Sequence, residues 1–512
     1  PASKYQYGAI SRDGRVFAYA SNERDGTDFD LYVRAVEGVS PARRVYEARG
    51  QFAPVDFSPD GQILAALESR SSFDADVHLV DLATGSARRL SAHQGDERFD
   101  APAFAFEDTS STAGGPRQPL LFALSDRGRE FMNLGHFDAQ GFHFSVDTPH
   151  DVDLLAVAQT RDVLAVAVNT DGFHQVQLYT QRPAAHPTRL RAVDLPPLVV
   201  SSMRFSGDGR TLVVAGSRGS SPDAIYRVDV DTGRGERVTA SDHAGLDESR
   251  LVEPTVEHVA SFDGLEIPVL VYRPRGLRPG ERAPVVVSVH GGPEGQASPL
   301  FSPVTQYLVG HGYIVVTPNV RGSTGYGKRF AHLDDVALRE DSVRDLSEVN
   351  HWLRRQPDVD PTRIAVTGGS YGGYMTLAAI TLYPDEWAAA CDVVGIANFR
   401  TFLEHTAPYR RALREAEYGS LANDRALLER ISPLRRVDQI RTPLMVIHGA
   451  NDPRVPVGEA EQIVNALRAR GQRVEYLRFD NEGHGLARRE NRLRGYGEMV
   501  RFFDEVLGAA RN

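Results

Sequence analysis

Apolar positions along the chain follow two patterns, and the change falls near residue 250. Before it, short apolar runs alternate with turn residues. Phe57-Ser58-Pro59-Asp60-Gly61 recurs as Phe205-Ser206-Gly207-Asp208-Gly209, and Ser11-Arg12-Asp13-Gly14 is a third copy. Each copy precedes an apolar strand, at 16–20, 63–67 and 212–215, and then a second, at 31–33, 77–82 and 224–230. Two copies close on an Asp-x-x-Thr-Gly turn, Asp81 to Gly85 and Asp229 to Gly233. The spacing of Ser58 and Ser206 fits three units of roughly 49 residues. Weaker copies near Phe106-Glu107-Asp108 and Thr160-Arg161-Asp162 fill the vacant slots. Asp-Gly supplies the positive φ that a tight hairpin turn needs. Four short strands every 40–50 residues predict a β-propeller over residues 1–250, with about five blade-like units. A β-sandwich with chance turn similarity is the alternative.

Residues 245–255 read as a polar connection. Strands at 256–260 and 267–272 pair around the Asp263-Gly264 turn. Beyond them apolar strands (285–289, 314–317, 364–367, 389–394, 444–447, 474–479) alternate with amphipathic stretches (342–355, 373–382, 459–470, 498–507). Such alternation predicts a doubly wound, mostly parallel sheet over 251–512, with function in loops at the carboxyl ends of its strands.

Composition narrows the classes. At 41% hydrophobic and 25% charged, the chain is an ordinary globular one, and 512 residues suit two or three domains. A formal net charge of −10 argues against a nucleic-acid partner. No apolar run is long enough for a membrane helix. Cys391 is the sole cysteine, which excludes an internal disulfide framework and a Cys-cluster metal site. A reducing, cytoplasmic compartment is the simplest reading, although a chain starting at Pro1 leaves room for a removed N-terminal signal. No His or carboxylate cluster has metal-ligand spacing, and Gly-rich nucleotide loops are absent at strand–helix junctions, so neither metal nor cofactor is expected.

Gly368-Gly369-Ser370-Tyr371-Gly372 fits G-x-S-x-G between a predicted strand and a predicted helix. That setting is a nucleophile elbow, whose sharp turn requires small neighbours. A serine hydroxyl needs an adjacent base oriented by a carboxylate, in the chain order Ser, acid, His. Three histidines follow Ser370. His484 is the candidate base: it sits between glycines just after the strand 474–479. His448 ends a strand but has no strand-end acid between it and Ser370 at a natural spacing. Asp452 is the candidate acid, its bland role being an Asx-type turn before Pro453. One oxyanion donor is the backbone N–H of Tyr371. The second comes from His290-Gly291-Gly292-Pro293, by position Gly292, with Gly291 nearly equal on spacing. His290 is a loop-orienting hydrogen bonder rather than a base.

Gly369 to Met375, His290 to Pro293, Arg321-Gly322-Ser323-Thr324-Gly325-Tyr326-Gly327, His448 to Pro456 and Glu482-Gly483-His484-Gly485 together resemble the prolyl oligopeptidase family of serine peptidases. Tyr371, where the branch proper has Asn, and the RGSTGYG and HGGP segments look more like the acylaminoacyl-peptidase branch. The resemblance implies an N-terminal β-propeller with a C-terminal α/β-hydrolase domain. It implies Ser370, Asp452 and His484 as a triad, and Gly292 and Tyr371 at the oxyanion hole. The family propeller usually has seven blades, and about five fit here. Either the ring is smaller or the chain begins about two blades late. Implied partners are short peptides, with no nucleic acid or membrane, and a homo-oligomer is compatible with every feature read. Competing readings are a carboxylesterase on the same triad, and a propeller binding protein with an inactive hydrolase domain. A fluorophosphonate label on Ser370 separates the last from an enzyme.

The substrate end is less constrained. Phe399 and Phe402 follow the strand 389–394 in an expected loop and, with Tyr371 and Tyr374, either line an apolar pocket or pack in the core. Arg454 holds a peptide carbonyl or a substrate carboxylate, or makes a surface salt bridge. Glu404, Glu415 and Glu417 are candidates to meet a free amino terminus.

Overall fold

A computed structural model of the chain describes residues 3–105, 120–182, 187–240 and 245–508. It divides into two compact units, residues 1–216 with 223–240, and residues 217–222 with 241–512. The repeat copy near Phe106 lies outside the described residues.

Among the described residues five four-stranded antiparallel sheets follow one another along 5–46, 51–89, 99–144, 152–192 and 199–237, each with its strands in chain order. The first strand of each sheet (Tyr5–Ile10, Gln51–Phe57, Phe99–Phe104, Val152–Val157, Val199–Phe205) packs against the first strand of the next. This is the blade arrangement of a β-propeller. The recurring tetrapeptide is a structural device. In all three copies the serine Oγ donates to the aspartate Oδ1 at 2.6 Å, as in Ser11–Asp13, Ser58–Asp60 and Ser206–Asp208. The same Oγ accepts the amide that opens the next strand, from Val16, Ile63 or Thr211. Gly14, Gly61 and Gly209 take φ of +72°, +69° and +66°. Outermost strands such as Ala87–Arg89 and Arg189–Ala192 are exposed and arginine-rich, which blunts an unpaired edge against another chain.

The second unit is built on an eight-stranded sheet. Its strands are β1 (Thr255–Ala260), β2 (Glu266–Tyr272), β3 (Ala283–Val289), β4 (Ile314–Pro318), β5 (Val359–Gly369), β6 (Ala389–Val393), β7 (Leu444–Gly449) and β8 (Val474–Phe479). Their order is β1-β2-β4-β3-β5-β6-β7-β8, parallel from β4 onward. Central strands such as β3, with the run Val285-Val286-Val287, are apolar on both faces because both are covered. Among the described residues its longer helices are α1 (Pro303–Gly310), α2 (Arg339–Arg354), α3 (Tyr371–Leu382), α4 (Phe399–His405), α5 (Pro408–Tyr418), α6 (Gly458–Ala469) and α7 (Arg489–Leu507). One core joins Val285, Val287 and Val289 with α2, α3 and α6, and the other joins Val286 with α1 and α7. This is the α/β-hydrolase architecture, with strand carboxyl ends β3, β5, β7 and β8 turned toward one edge.

Candidate active site

β5 runs into Ser370, which holds φ +61°, and α3 starts at the next residue. The turn closes because three neighbours lack side chains. A Cβ at Gly368 would lie 2.4 Å from the Gly372 backbone, one at Gly372 2.1 Å from the Val289 carbonyl oxygen, and one at Gly373 2.4 Å from Asp392 Oδ1. The Ser370 amide donates to the Val393 carbonyl at 2.9 Å, which ties the elbow to β6. Tyr371 begins α3, so its amide has no intrahelical acceptor. The helix dipole adds partial positive charge there.

Asp452 and His484 lie in the loops after β7 and β8 and meet: His484 Nδ1–H donates to Asp452 Oδ2 at 2.7 Å. The carboxylate is buried, and its other oxygen accepts the amides of Arg454 at 2.8 Å and Val455 at 3.0 Å. Gly485 takes φ +101° beside His484. His448 is fully buried behind the acid loop. Its Nε2–H donates to the Val455 carbonyl at 3.0 Å, and burial lowers its pKa.

The loop after β3 reaches the elbow: a Cβ at Gly291 would stand 3.5 Å from Ser370 Cβ. His290 turns Nδ1 to the Gly291 carbonyl and Nε2 to Ser323 Oγ, each at 2.9 Å, and burial lowers its pKa. The Gly292 carbonyl accepts from Tyr418 Oη at 3.1 Å and Arg414 Nη1 at 3.3 Å. Among the described residues neither Gly291 nor Gly292 finds an acceptor for its N–H. The RGSTGYG segment braces this loop: Ser323 meets His290, and the Thr324 amide donates to the Gly295 carbonyl at 2.9 Å. Arg321 is held by Asp263 and Asp345.

Sequence spacing missed what lies behind the elbow. Tyr371 Oη donates to Asp334 Oδ2 at 2.8 Å, and the buried Arg339 joins Asp334 to Glu417. Burial holds the Asp334 carboxyl well above its ordinary range and pushes Glu417 up to about 7. Tyr418, next to Glu417, is the residue that bonds Gly292. The network thus links the two loops that carry the candidate oxyanion donors. Asp334, Asp335 and Glu417, like Asp74, Asp76 and His93, come close enough to suggest a metal. In the first cluster Arg339 pairs with Asp334 and Glu417, and His332 with Asp335; in the second Arg70 pairs with Asp74 and Asp76, and Arg89 with Asp76.

The substrate residues fare differently. Tyr374 and Phe399 have no exposed surface and Phe402 has 3%; they pack with Tyr418 in the core. The pocket reading for them gives way to plain packing, because the expected loop is helix α4. Its N-cap Asn398 accepts from the Arg400 amide at 3.1 Å, and its face of 399, 402 and 403 is buried. Arg454 is exposed in the acid loop, two residues beyond Asp452. Glu417 is spent on Arg339, Glu415 Oε1 accepts the Leu421 amide at 3.3 Å, and Glu404 faces Arg400 at 3.7 Å. No helix among the described residues is long and apolar enough to cross a membrane.

Residues 299–510 match the model of the prolyl oligopeptidase family. Dipeptidyl aminopeptidase BIII of Pseudoxanthomonas mexicana is 32% identical over 507 residues, 95% of this chain and 71% of that protein. The acylamino-acid-releasing enzyme of Arabidopsis thaliana is 30% identical over 235 residues, 44% of this chain and 30% of that one. A puromycin-hydrolyzing peptidase of Mycobacterium tuberculosis has the same fold, with a TM-score of 0.83 at 24% identity, over 99% of this chain and 80% of that one. The near-complete match to the first relative, added to an elbow serine and an Asp–His pair on the same edge of the sheet, assigns the chain to the prolyl oligopeptidase family of serine peptidases.

Proposed function

We propose that the chain hydrolyses short peptides through an acyl-enzyme on Ser370, with His484 as general base and Asp452 as its orienting acid. The 2.7 Å Asp452–His484 contact carries the reading, because it commits the proton to Nδ1 and leaves Nε2 as the acceptor. As Ser370 Oγ attacks the scissile carbonyl carbon, its proton passes to His484 Nε2. The oxyanion is received by the amides of Tyr371 and Gly292. Collapse breaks the C–N bond, and the leaving amine takes the proton from Nε2. Water, deprotonated by the same nitrogen, then attacks the acyl carbon; the Oγ–C bond breaks and Ser370 Oγ takes the proton back from Nε2. Arg454 supplies a cation for a substrate carbonyl or carboxylate. The names of the two relatives, one a dipeptidyl aminopeptidase and one an acylamino-acid-releasing enzyme, support cleavage near a peptide's amino end. A lone, buried Cys391 supports a cytoplasmic setting.

Ser370→Ala should lower turnover of a fluorogenic peptide by at least about 10³-fold and abolish fluorophosphonate labelling, with unchanged thermal unfolding. Near-normal turnover would remove the mechanism. Free, N-acetylated and C-amidated versions of one peptide then identify the end that is read. The same sequence inside a folded domain should be spared; equal cleavage would argue against a short-peptide enzyme.

A further inference from the structure

α5 carries Arg410 and Arg414 one turn apart, so both lie on the same side of the helix. Arg414 shows where that side faces: its Nη1 reaches the Gly292 carbonyl at 3.3 Å and the Glu294 carboxylate at 3.0 Å. The chain just before α5 is fastened to the acid loop, where Thr406 Oγ1 donates to the Arg454 carbonyl at 3.0 Å. Arg410 thus belongs to a turn of helix held between the oxyanion loop and Arg454. The oxyanion loop stands against the Ser370 elbow at Gly291, and the Arg454 amide is bonded to Asp452, the partner of His484.

The charges there do not balance. Arg410 has the guanidinium groups of Arg454 and Arg414 beside it, and the nearby Glu294 carboxylate is held by Arg414 at 3.0 Å. Among the described residues, Arg410 and Arg454 have no side-chain hydrogen bond or ion pair. Arg410 is half-buried, and its pKa is drawn below the ordinary value by burial first, then by Arg454 and Arg414. Elsewhere in this unit a buried arginine is matched by acids, as Arg321 is by Asp263 and Asp345, and Arg339 by Asp334 and Glu417. A partly desolvated guanidinium with like charge beside it costs stability unless something anionic completes it.

We propose that Arg410 and Arg454, backed by Arg414, form a carboxylate subsite beside Ser370, and that the substrate is a peptide carrying a carboxylate close to the scissile bond. The carboxylate is an Asp or Glu side chain or the peptide's free C-terminus; a planar, bidentate acceptor suits a guanidinium in either form. The proposal rests on reading Ser370 as the nucleophile.

The test uses the full chain bearing Ser370→Ala and measures binding of three labelled short peptides by fluorescence anisotropy. One carries Gln and a C-terminal amide, the second Glu in place of Gln, and the third the amide replaced by a free carboxylate. We expect the second or the third to bind at least tenfold tighter than the first, which also names the source of the carboxylate. The preference should shrink with added salt and collapse toward one in Arg410→Gln, with Arg410→Lys recovering part of it. Equal binding of all three overturns the subsite. A preference that survives Arg410→Gln overturns its assignment to these arginines, and fluorophosphonate labelling of that variant with Ser370 restored verifies an intact elbow. Carboxylate preference without peptide turnover by the unmodified chain would leave the subsite standing and remove the peptidase reading. Turnover without preference would do the reverse.

Discussion

Ser370 sits at φ +61°, a backbone region that costs a non-glycine residue of order 1–3 kcal/mol. The strain persists because its surroundings allow no other path: its amide is bonded to Val393, and Gly368 and Gly372 leave no room to relax. The result is a hydroxyl held at the tip of a turn, with α3 amides beside it. His484 is equally constrained through its tautomer. Asp452 accepts two backbone amides on one oxygen and the imidazole N–H on the other. Asp452→Asn tests this directly. The amide oxygen keeps the bonds to Arg454 and Val455, while the amide nitrogen turns a donor toward Nδ1 and drives the imidazole proton to Nε2. We expect kcat to fall on the order of 10³–10⁴-fold with little change in thermal stability. A fall below tenfold would show that the carboxylate does not set the tautomer. These residues were legible because each is announced locally, by Gly neighbours or by a strand end. Phe399 and Phe402 are left open by the sequence, because two aromatics after a strand look alike in a pocket and in a core. The overlooked signal was Asn398 as an N-cap, followed by apolar residues three and four apart.

Elements explain what spacing left out. α7 runs from Arg489 through Gly495 and Gly497, whereas the sequence pattern places the helical stretch at 498–507. Gly495 lets the helix approach its neighbour: a Cβ there would come 2.4 Å from Leu486 Cδ1. The Asp334–Arg339–Glu417 cluster is assembled across about 80 residues of chain, which no motif spacing reports. Packing between β3 and α3 makes its own prediction. Gly372→Ala places a methyl against the Val289 carbonyl and must displace either the elbow or the loop holding Gly291 and Gly292. We expect a loss of about 1–3 kcal/mol in stability and more than tenfold in kcat; normal values for both would mean the contact is soft. β6 makes another. Asp392 near its end and Glu459 on α6 are buried, and burial pushes each carboxyl up to about 7, against roughly 4 in an unfolded chain. Between those values the folded state binds more protons than the unfolded one. Their contribution is therefore full below about pH 4 and is lost as pH rises through 7. Asp392→Asn cannot ionise and removes one group's share, a slope of at most about 1.4 kcal/mol per pH unit. Unfolding midpoints from pH 5 to 8 should show the variant gaining on the parent as pH rises. A constant difference would place the titration elsewhere.

At the scale of the whole molecule the two halves were legible for different reasons. The propeller announced itself by repetition, because three of the five sheets turn between their first two strands on the same Ser-x-Asp-Gly device. The hydrolase was legible through strand–helix alternation and its loops. The boundary was not, since the chain does not divide at a single point. Residues 217–222, the tip of the hairpin between Thr211–Arg218 and Ser221–Asp229, group with the second unit rather than the first. Within that unit the Phe301 amide donates to Ser217 Oγ at 2.9 Å, Gln306 Nε2 to the Gly219 carbonyl at 2.9 Å, and Arg218 Nε to Glu253 at 2.6 Å. Ser220 also donates to Glu253. Gln306 is on α1, and its other bonds fix Val252 at the entry to β1. Residues 251–512 expressed alone would keep every strand of the eight-stranded sheet and lose this tip. Glu253 and the Phe301 amide would then be without their partners, and Gln306 would keep only Val252. Each lost bond is worth about 0.5–1.5 kcal/mol, more where an ion is paired. We expect the shortened chain to unfold several degrees below the corresponding transition of the full chain. Glu253→Ala in the full chain, which breaks the Arg218 and Ser220 contacts without removing any chain, should reproduce part of the drop. If the shortened chain melts where the full one does, the tip is a passenger of the last blade, and the hydrolase unit ends where the sequence placed its edge.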